Sequence, residues 1–522
     1  MKIHVIDKIK MMIDQNLLKH SFLSVFTLGF IAHGYCLSNI LISHDSLSEF
    51  YSSNTWPKAY LGRIFYGPYI ALTRGRIALP WLNGILALCW ITLAVYLVLR
   101  IYNIKKLSYI ILISGIFVTN PTVYALMATY IHDLDVDMFS MMLSVIAIYL
   151  WSRAIKKNNK KKFLLLLVGG GVLSVALGIY QSYISLAITL IIIWSIKELL
   201  ENKSFKEVMV NGCYGIGMLI IAAISYIIEL KVFEILTGVS AMSSEAYNGL
   251  GNLSQIFSRN IVGNILGTYQ NFVYAFKNII LSFYSESISL IILGILVILM
   301  VLIALRGLIK IKWANRIVFI VLSVLLPLGM NIACFLNNGT GHVLMQYAIW
   351  MIYLLALILN IWIQEEKTIP LILKKGIWSI AVGCICLTII ENIQVANAIY
   401  VKKDLEYQST LSYMTRVAER IEEQEEYIPG ETSVLFIGQD IIGNIRMGFE
   451  RYMNVTGAGA KSPITYYATY KNYFRYILGT TIILDENRTL ENDERVLEMS
   501  VFPKEGSIKM LDGILVVKLA DK

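Results

Sequence analysis

The sequence predicts an α-helical polytopic membrane protein, with about eleven transmembrane helices and a C-terminal extracytoplasmic α/β domain. Composition is the first ground. Apolar residues make up 57% of the 522 and charged residues 16%, a balance that a soluble chain of this size would meet only by exposing large apolar patches. The second is patterning: runs of roughly 20 mainly apolar residues recur between Phe22 and Asn392, each long enough to cross a hydrocarbon core about 30 Å thick as a helix. A β-barrel is excluded, because stretches such as Leu290–Leu305 are continuously apolar where barrel strands would alternate. The third is the change to polar, periodic sequence after Tyr400.

Met1–His20 is charged and weakly amphipathic, and no small-residue cleavage site follows the first apolar run, so Ser21–Ile42 reads as a retained helix rather than a signal peptide. The expected spans are 22–42, 81–100, 107–128, 138–153, 163–179, 183–199, 208–229, 288–305, 317–336, 343–363 and 376–393. Lys and Arg gather in alternate loops, at 100–106, 153–162, 197–206, 306–316 and 367–375, whereas the opposite short loops around His132–Asp137, Gly178–Ser182 and Asn337–His342 carry neither. The positive-inside rule then places the amino end in the cytoplasm and the carboxyl end outside. The net charge of +9 is thereby topology rather than a nucleic-acid surface. All six cysteines fall in apolar segments, which indicates neither a disulfide framework nor a zinc site.

Two outer connections exceed a simple turn, Ser43–Pro80 and roughly Lys231–Ser285, and their mixed aromatic and apolar character, as in YLGRIFYGPYIALTRGRIALP, suggests short helices at the membrane interface. Residues 1–400 form the membrane domain and 401–522 the soluble one. In the latter, Leu405, Leu411, Met414, Val417 and Ile421 mark an amphipathic helix. SVLFIG (433–438) and TTIILDE (480–486) read as strands, and IKMLDGILVVKL (508–519) as a hairpin turning at Asp512-Gly513.

Ionisable residues at the membrane edge are costly there and are therefore functional candidates. On the outer side SHDSLSEF brings His44 and Asp45 to the end of the first span, with Glu49 four residues on. YIHDLDVDMF places His132, Asp133, Asp135 and Asp137 between two spans, and NNGTGH ends at His342. A carboxylate beside apolar surface can serve as a general base, and two acidic clusters facing one cavity could hold Mg2+ or Mn2+. For any single acid the plainer reading is a solvated helix cap. Arg63, Arg74 and Arg76 are outer cations against the positive-inside bias. Guanidinium suits a lipid phosphate, with headgroup snorkelling as the competing reading. Tyr180 and Gln181 in GIYQSY offer aromatic and amide groups for a sugar, although Tyr is also an ordinary belt residue.

The order of these motifs resembles a known family. HDS closes the first span, GR (Gly62, Arg63) precedes Pro80, and an Asp-bearing outer loop is followed by GxYQSY (Gly178, Tyr180, Gln181, Ser182, Tyr183). The chain closes with FPxxGSI…DGxxVVKL, from Phe502 and Pro503 through Asp512 and Gly513 to Lys518 and Leu519. This arrangement is similar to the type II bacterial membrane glucosyltransferases (Gtr) of phage serotype conversion, within the GT-C class. The resemblance implies a glycosyltransferase that moves a sugar, glucose, from undecaprenyl phosphate to an O-antigen or other surface polysaccharide. It further implies the outer face of a bacterial cytoplasmic membrane, a donor synthase and a flippase as functional partners, and Asp45 as catalytic base, with Glu49 or Asp133 as substitutes. By that reading Arg63, Arg74 and Arg76 bind the donor phosphate, and His44, His132, Asp135, Tyr180, Gln181 and His342 face sugar or acceptor. A transporter or lipid-linked sugar flippase is the main alternative, disfavoured because the polar groups gather at one face instead of the midplane. A polysaccharide polymerase or ligase is a second, disfavoured by the large carboxyl α/β region.

Overall fold

The computed structural model describes residues 14–43, 46–49, 55–75, 77–240, 261–283, 286–337, 339–438 and 463–521. The first long helix, α1 (Gln15–Ser38), starts where the Asp14 side chain accepts a hydrogen bond from Leu17 N, satisfying one of the free donors of a helix start. Three short helices follow, α2 (Ser46–Glu49), α3 (Trp56–Tyr60) and α4 (Tyr66–Thr73), which is the kind of structure expected for the first outer connection. The bundle continues with α5 (Pro80–Tyr102), α6 (Leu107–Thr119), α7 (Pro121–Tyr130), α8 (Leu134–Ala154), α9 (Asn159–Leu177), α10 (Ile184–Leu200) and α11 (Phe205–Thr237). After it come α12 (Ile261–Phe283), α13 (Glu286–Lys310), α14 (Trp313–Met330), α15 (Ile332–Leu336), α16 (Ile352–Glu365) and α17 (Leu371–Glu422).

The expected span 107–128 divides in two, because Pro121 cannot donate into a continuous helix and Asn120 caps the new start through Val123 N. Together α6 and α7 are the centre of the bundle, 94% buried over their most apolar stretch. Helix α8 packs on α5, α9 and α10, while α1 lies against α5, α6 and α17.

Ten helical segments among the described residues are long and apolar enough to cross a membrane, one fewer than the eleven expected. The segment that differs is 163–179. It is helical, as α9, with Lys160, Lys161 and Lys162 in its first turn, where lysines at a membrane helix end reach the interface, and its far end meets the first outer loop through Phe65 N and Gly178 O. A second difference lies at Tyr400, where the sequence reading separated a last span from an amphipathic helix. Both belong to α17, a single helix of 52 residues. At about 1.5 Å per residue it far exceeds a hydrocarbon core of about 30 Å.

Beyond α17 a four-stranded sheet runs in the order β2-β1-β4-β3, from β1 (Ser433–Ile437), β2 (Ile483–Leu484), β3 (Ile508–Leu511) and β4 (Ile514–Lys518). β1 is parallel to β2 and β4, and β3–β4 is the antiparallel hairpin turning at Asp512 (φ 52°) and Gly513 (φ 79°). Alternation splits the strands between two cores. Val434, Phe436, Leu515 and Val517 face Met414, Val417 and Ile421 of α17, while Leu435, Ile437 and Val516 face Leu490, Val496 and Met499. The first core also holds Ile42 and Leu47, residues on either side of the first outer acidic motif.

Close packing of α9 on α11 depends on a small residue, as interfaces between membrane helices commonly do. A Cβ on Gly170 would stand 2.5 Å from Ile221 Cγ2 and 2.9 Å from Ile221 Cβ, whereas one on Gly171 meets nothing within 4 Å. Gly170→Ala is therefore expected to destabilise by about 1–3 kcal/mol through overpacking, and Gly171→Ala to leave stability unchanged or slightly raised. Thermal unfolding of the two variants in detergent compares them directly, and equal Tm values would refute the tight α9–α11 contact.

Candidate active site

The candidate site forms where α3, α4 and the turn between them meet the start of α8. Pro57 sits in the first turn of α3, where its missing N–H is tolerated, and this short helix points Lys58 at α8. Lys58 Nζ lies 2.5 Å from Asp133 Oδ2, the Tyr66 hydroxyl donates to Asp133 Oδ1 at 2.7 Å, and Arg63 Nη1 is 4.0 Å from Oδ2. His132 Nε2 stands 3.6 Å from Oδ1. Burial opposes ionisation of Asp133, but Lys58, His132 and Arg63 hold its carboxyl well below the usual carboxylate range. Asp137 is buried one helical turn further on in α8.

Arg63 is oriented by the GIYQSY motif. Its guanidinium carbon lies 4.4 Å from the Tyr180 ring centre. Burial pushes the Tyr180 phenol up to about 12, so the contact is a cation over a neutral ring rather than an ion pair. Gln181 Nε2 donates to Leu61 O at 2.8 Å and to the Tyr226 hydroxyl at 2.9 Å, Tyr226 donates to Gly62 O at 3.1 Å, and Phe65 N donates to Gly178 O at 2.9 Å. A Cβ on Gly178 would meet Phe65 Cδ2 at 2.5 Å, which explains glycine at that position. Burial works against the Arg63 charge, yet Tyr180, Asp137 and Asp133 raise its pKa above the ordinary value. Its Nε is buried with no hydrogen-bond partner among the described residues.

Arg63 also lines a cleft of about 590 Å³ between the first outer loop and the far end of α11, whose walls include Trp56, Phe65, Ile228, Val232 and Leu236. These walls are apolar, and Ile228, Val232 and Leu236 are exposed.

The other predicted residues are placed differently. Arg74 is fully engaged: Nε is 3.2 Å from both Asp135 oxygens, Nη1 donates to Ile77 O at 2.8 Å and Nη2 to His132 O at 2.5 Å. With side-chain exposures of 2% and 0%, Arg74 and Asp135 act as a clamp between α4 and α8. Tyr180 and Gln181, expected to face a sugar, hold the Arg63 turn instead. His342 caps the short helix Val343–Met345 through Leu344 N, and burial lowers its pKa, favouring the neutral ring. His44, Asp45 and Arg76 lie outside the described residues, as does the side chain of Glu49. Ser43 and Ser46 on either side of His44 and Asp45 are buried, and Ser43 Oγ donates to Thr129 O at 2.6 Å, four residues before Asp133.

Lys58 and Tyr66 escaped the sequence reading. A lysine on the outer side against the charge bias was the available signal for Lys58; nothing in the sequence distinguishes Tyr66 from the other interfacial tyrosines. The fit of Mg2+ or Mn2+ is poor at Asp133, where both oxygens already accept from cationic or hydroxyl donors. Among the described residues no group of three or more His, Cys, Asp or Glu side chains is disposed to hold a metal.

Removing one partner of a buried ion pair leaves the other charge uncompensated, at about 3–5 kcal/mol, so Asp133→Asn is expected to lower Tm sharply. The pH dependence has a definite sign. A carboxyl whose folded pKa lies below its unfolded value of about 3.9 contributes fully above that value and loses its contribution as pH falls through it. Unfolding in detergent between about pH 3 and 7 checks this: the Asp133→Asn deficit should shrink toward the acid end, and a pH-independent deficit would refute the charged pair.

A family profile described as glucosyl transferase GtrII matches residues 34–348, more than half of the 522 residues. The match takes in the first outer loop, the Asp133 cluster, the Tyr180 motif and the loop ending at His342. Comparisons with curated proteins and with solved structures return no match. The profile's extent and the membrane-type helices around the site lead to one assignment: the chain belongs to the GtrII glucosyl transferase family and is a glucosyltransferase with multiple membrane helices.

Proposed function

We propose that this glucosyltransferase takes glucose from a polyprenyl (undecaprenyl) phosphate donor and attaches it to a cell-surface polysaccharide on the outer face of the bacterial cytoplasmic membrane. The observation that carries the proposal is the placement of Arg63, a buried cation with an unpartnered Nε at one end of an exposed apolar cleft. A lipid phosphate has the complementary form, an anionic head on an apolar chain, and a guanidinium donates to two phosphate oxygens in one plane.

In the proposed reaction Asp45 accepts the proton of an acceptor hydroxyl, that oxygen bonds to the glucosyl anomeric carbon, and the bond from this carbon to the phosphate oxygen breaks. The departing lipid phosphate keeps the electron pair and is stabilised by Arg63, with the Lys58 ammonium behind it. Loop charges support an inner amino end and an outer carboxyl region, 401–522, that stands over the first outer loop. A donor synthase and a flippase supply the lipid-linked sugar on that face.

The two residue assignments are tested in membranes loaded with undecaprenyl phosphoglucose. Asp45→Asn preserves shape and removes the base, so transfer is expected to fall by about 10²–10⁴-fold with membrane insertion and donor binding retained. Near-normal transfer would shift the role to Glu49 or Asp133. Arg63→Lys keeps the charge but loses the planar fork, and donor KM is expected to rise more than for a Lys203→Arg swap in a cytoplasmic loop. An unaltered donor KM and rate in Arg63→Ala would remove this residue from the site.

A further inference from the structure

Among the described residues, the walls of the cleft that holds Arg63 carry one further charged side chain, Glu229 of α11. The first outer loop is docked on α11 at two points that bracket it. Three residues before Glu229, the Tyr226 hydroxyl donates to Gly62 O at 3.1 Å, beside Arg63 in the chain. Four residues after it, the Phe233 ring centre lies 6.3 Å from that of Trp56 on α3. Positions three and four apart share one face of a helix, so Glu229 is presented to the loop that carries the cation.

The carboxylate of Glu229 is only partly satisfied. Ser174 Oγ, on α9, donates to Oε1 at 2.7 Å, whereas Oε2 is buried with no hydrogen-bond partner among the described residues. Arg63 does not neutralise it: the carboxylate within 4.0 Å of that guanidinium is Asp133. A buried carboxylate oxygen is costly without a donor, and the apolar side chains around it in the cleft supply none. One cleft thus holds a guanidinium with a spare N–H and a carboxylate with a spare oxygen.

We propose that Glu229 recognises the sugar of the lipid-linked donor, Oε2 accepting a hydrogen bond from a hydroxyl of the hexose while Arg63 meets the phosphate. The proposal rests on the reading of the cleft as the donor site. A pyranose has hydroxyls at its edge and C–H bonds on its face, and Trp56, 46% exposed on the cleft wall, offers a ring against which that face can lie. Glu229 is then a specificity-determining residue rather than a reacting one. It also separates substrate from product. The spent lipid phosphate brings no hydroxyl to Oε2, and a site built to bind a hydroxyl disfavours a ligand that lacks it.

The test measures Kd for undecaprenyl phosphoglucose and for undecaprenyl phosphate with the purified full chain in phosphatidylglycerol nanodiscs, the Tm of each variant reporting its fold. The unaltered protein is expected to bind the sugar-bearing lipid more tightly. Glu229→Gln replaces a charge-assisted hydrogen bond by a neutral one, so it should weaken binding of undecaprenyl phosphoglucose by about tenfold and leave binding of undecaprenyl phosphate unchanged. Ser174→Ala removes the tie between α9 and α11 but keeps the charge, and the preference should survive it. An equal change for both lipids in Glu229→Gln, or loss of the preference in Ser174→Ala, would overturn the sugar role in favour of a structural one. Competition by phosphatidylethanolamine that depends on Glu229 would assign the carboxylate to an ammonium headgroup and overturn it as well. Arg63→Ala is expected to weaken both lipids. If Arg63→Ala weakens both and Glu229→Gln neither, only the sugar role fails; if Arg63→Ala affects neither, the donor cleft itself fails and the sugar role with it.

Discussion

The contact between Lys58 and Asp133 is the constraint around which the end of the protein that carries the candidate site is arranged. Two charges 2.5 Å apart and largely shielded from solvent make a pair that neither partner can leave cheaply. Lys58 comes from a five-residue helix that could not persist alone in water, and Asp133 from the mouth of α8, which is packed on three neighbours. The pair thus transfers the rigidity of the bundle to a loop that has little of its own. Tyr66, donating to the second Asp133 oxygen, extends this to α4, and Arg74 repeats the device with Asp135, two residues further on. Arg63 lies between the two anchors in the chain, and the Tyr180 ring orients it.

The charge pattern and hydropathy were enough to read the helical architecture, because lipid leaves a chain few options: each apolar run must close its own hydrogen bonds. The strands of the carboxyl-terminal sheet and its Asp512-Gly513 hairpin were legible for the same local reason, since positive φ at consecutive turn positions restricts the residues that fit. What escaped is long-range. The continuity of α17 through Tyr400 shows no local mark, as an apolar run and an amphipathic one join in phase without glycine or proline.

At the site, residue types were easier to nominate than roles. The sequence placed Arg63, Asp133, Asp135, Tyr180 and Gln181 among the functional candidates, but whether a polar group faces a ligand or a neighbour depends on contacts formed across 60 to 120 positions of chain. Gln181 looked like an amide for a sugar and is bonded to Leu61 O and Tyr226. Arg74 looked equivalent to Arg63, yet its hydrogen bonds to Asp135, Ile77 and His132 are made, whereas Arg63 retains a buried donor. That difference between two outwardly similar arginines is legible only in three dimensions.

The same accounting bears on which acid can act as a base. A general base must present a lone pair to the acceptor hydroxyl and must gain a proton without undoing the structure that holds it. Both Asp133 oxygens are accepting, one from an ammonium and one from a phenol, so protonation there would sacrifice the anchor of the first outer loop. Both Asp135 oxygens accept from Arg74 Nε, and Asp137 is buried within α8. Asp133 and Asp135 are therefore better matched to holding cations in place than to exchanging protons. What the structure describes of the first outer segment is its frame: Ile42 and Leu47 sit in a core with Met414 and Val417 of α17, and Ser43 Oγ donates to Thr129 O, four residues before Asp133. In the proposed reaction the base comes from this segment, while Arg63 is held by Tyr180 and Asp133, so the group that changes charge and the cation are on different supports and one can change without displacing the other.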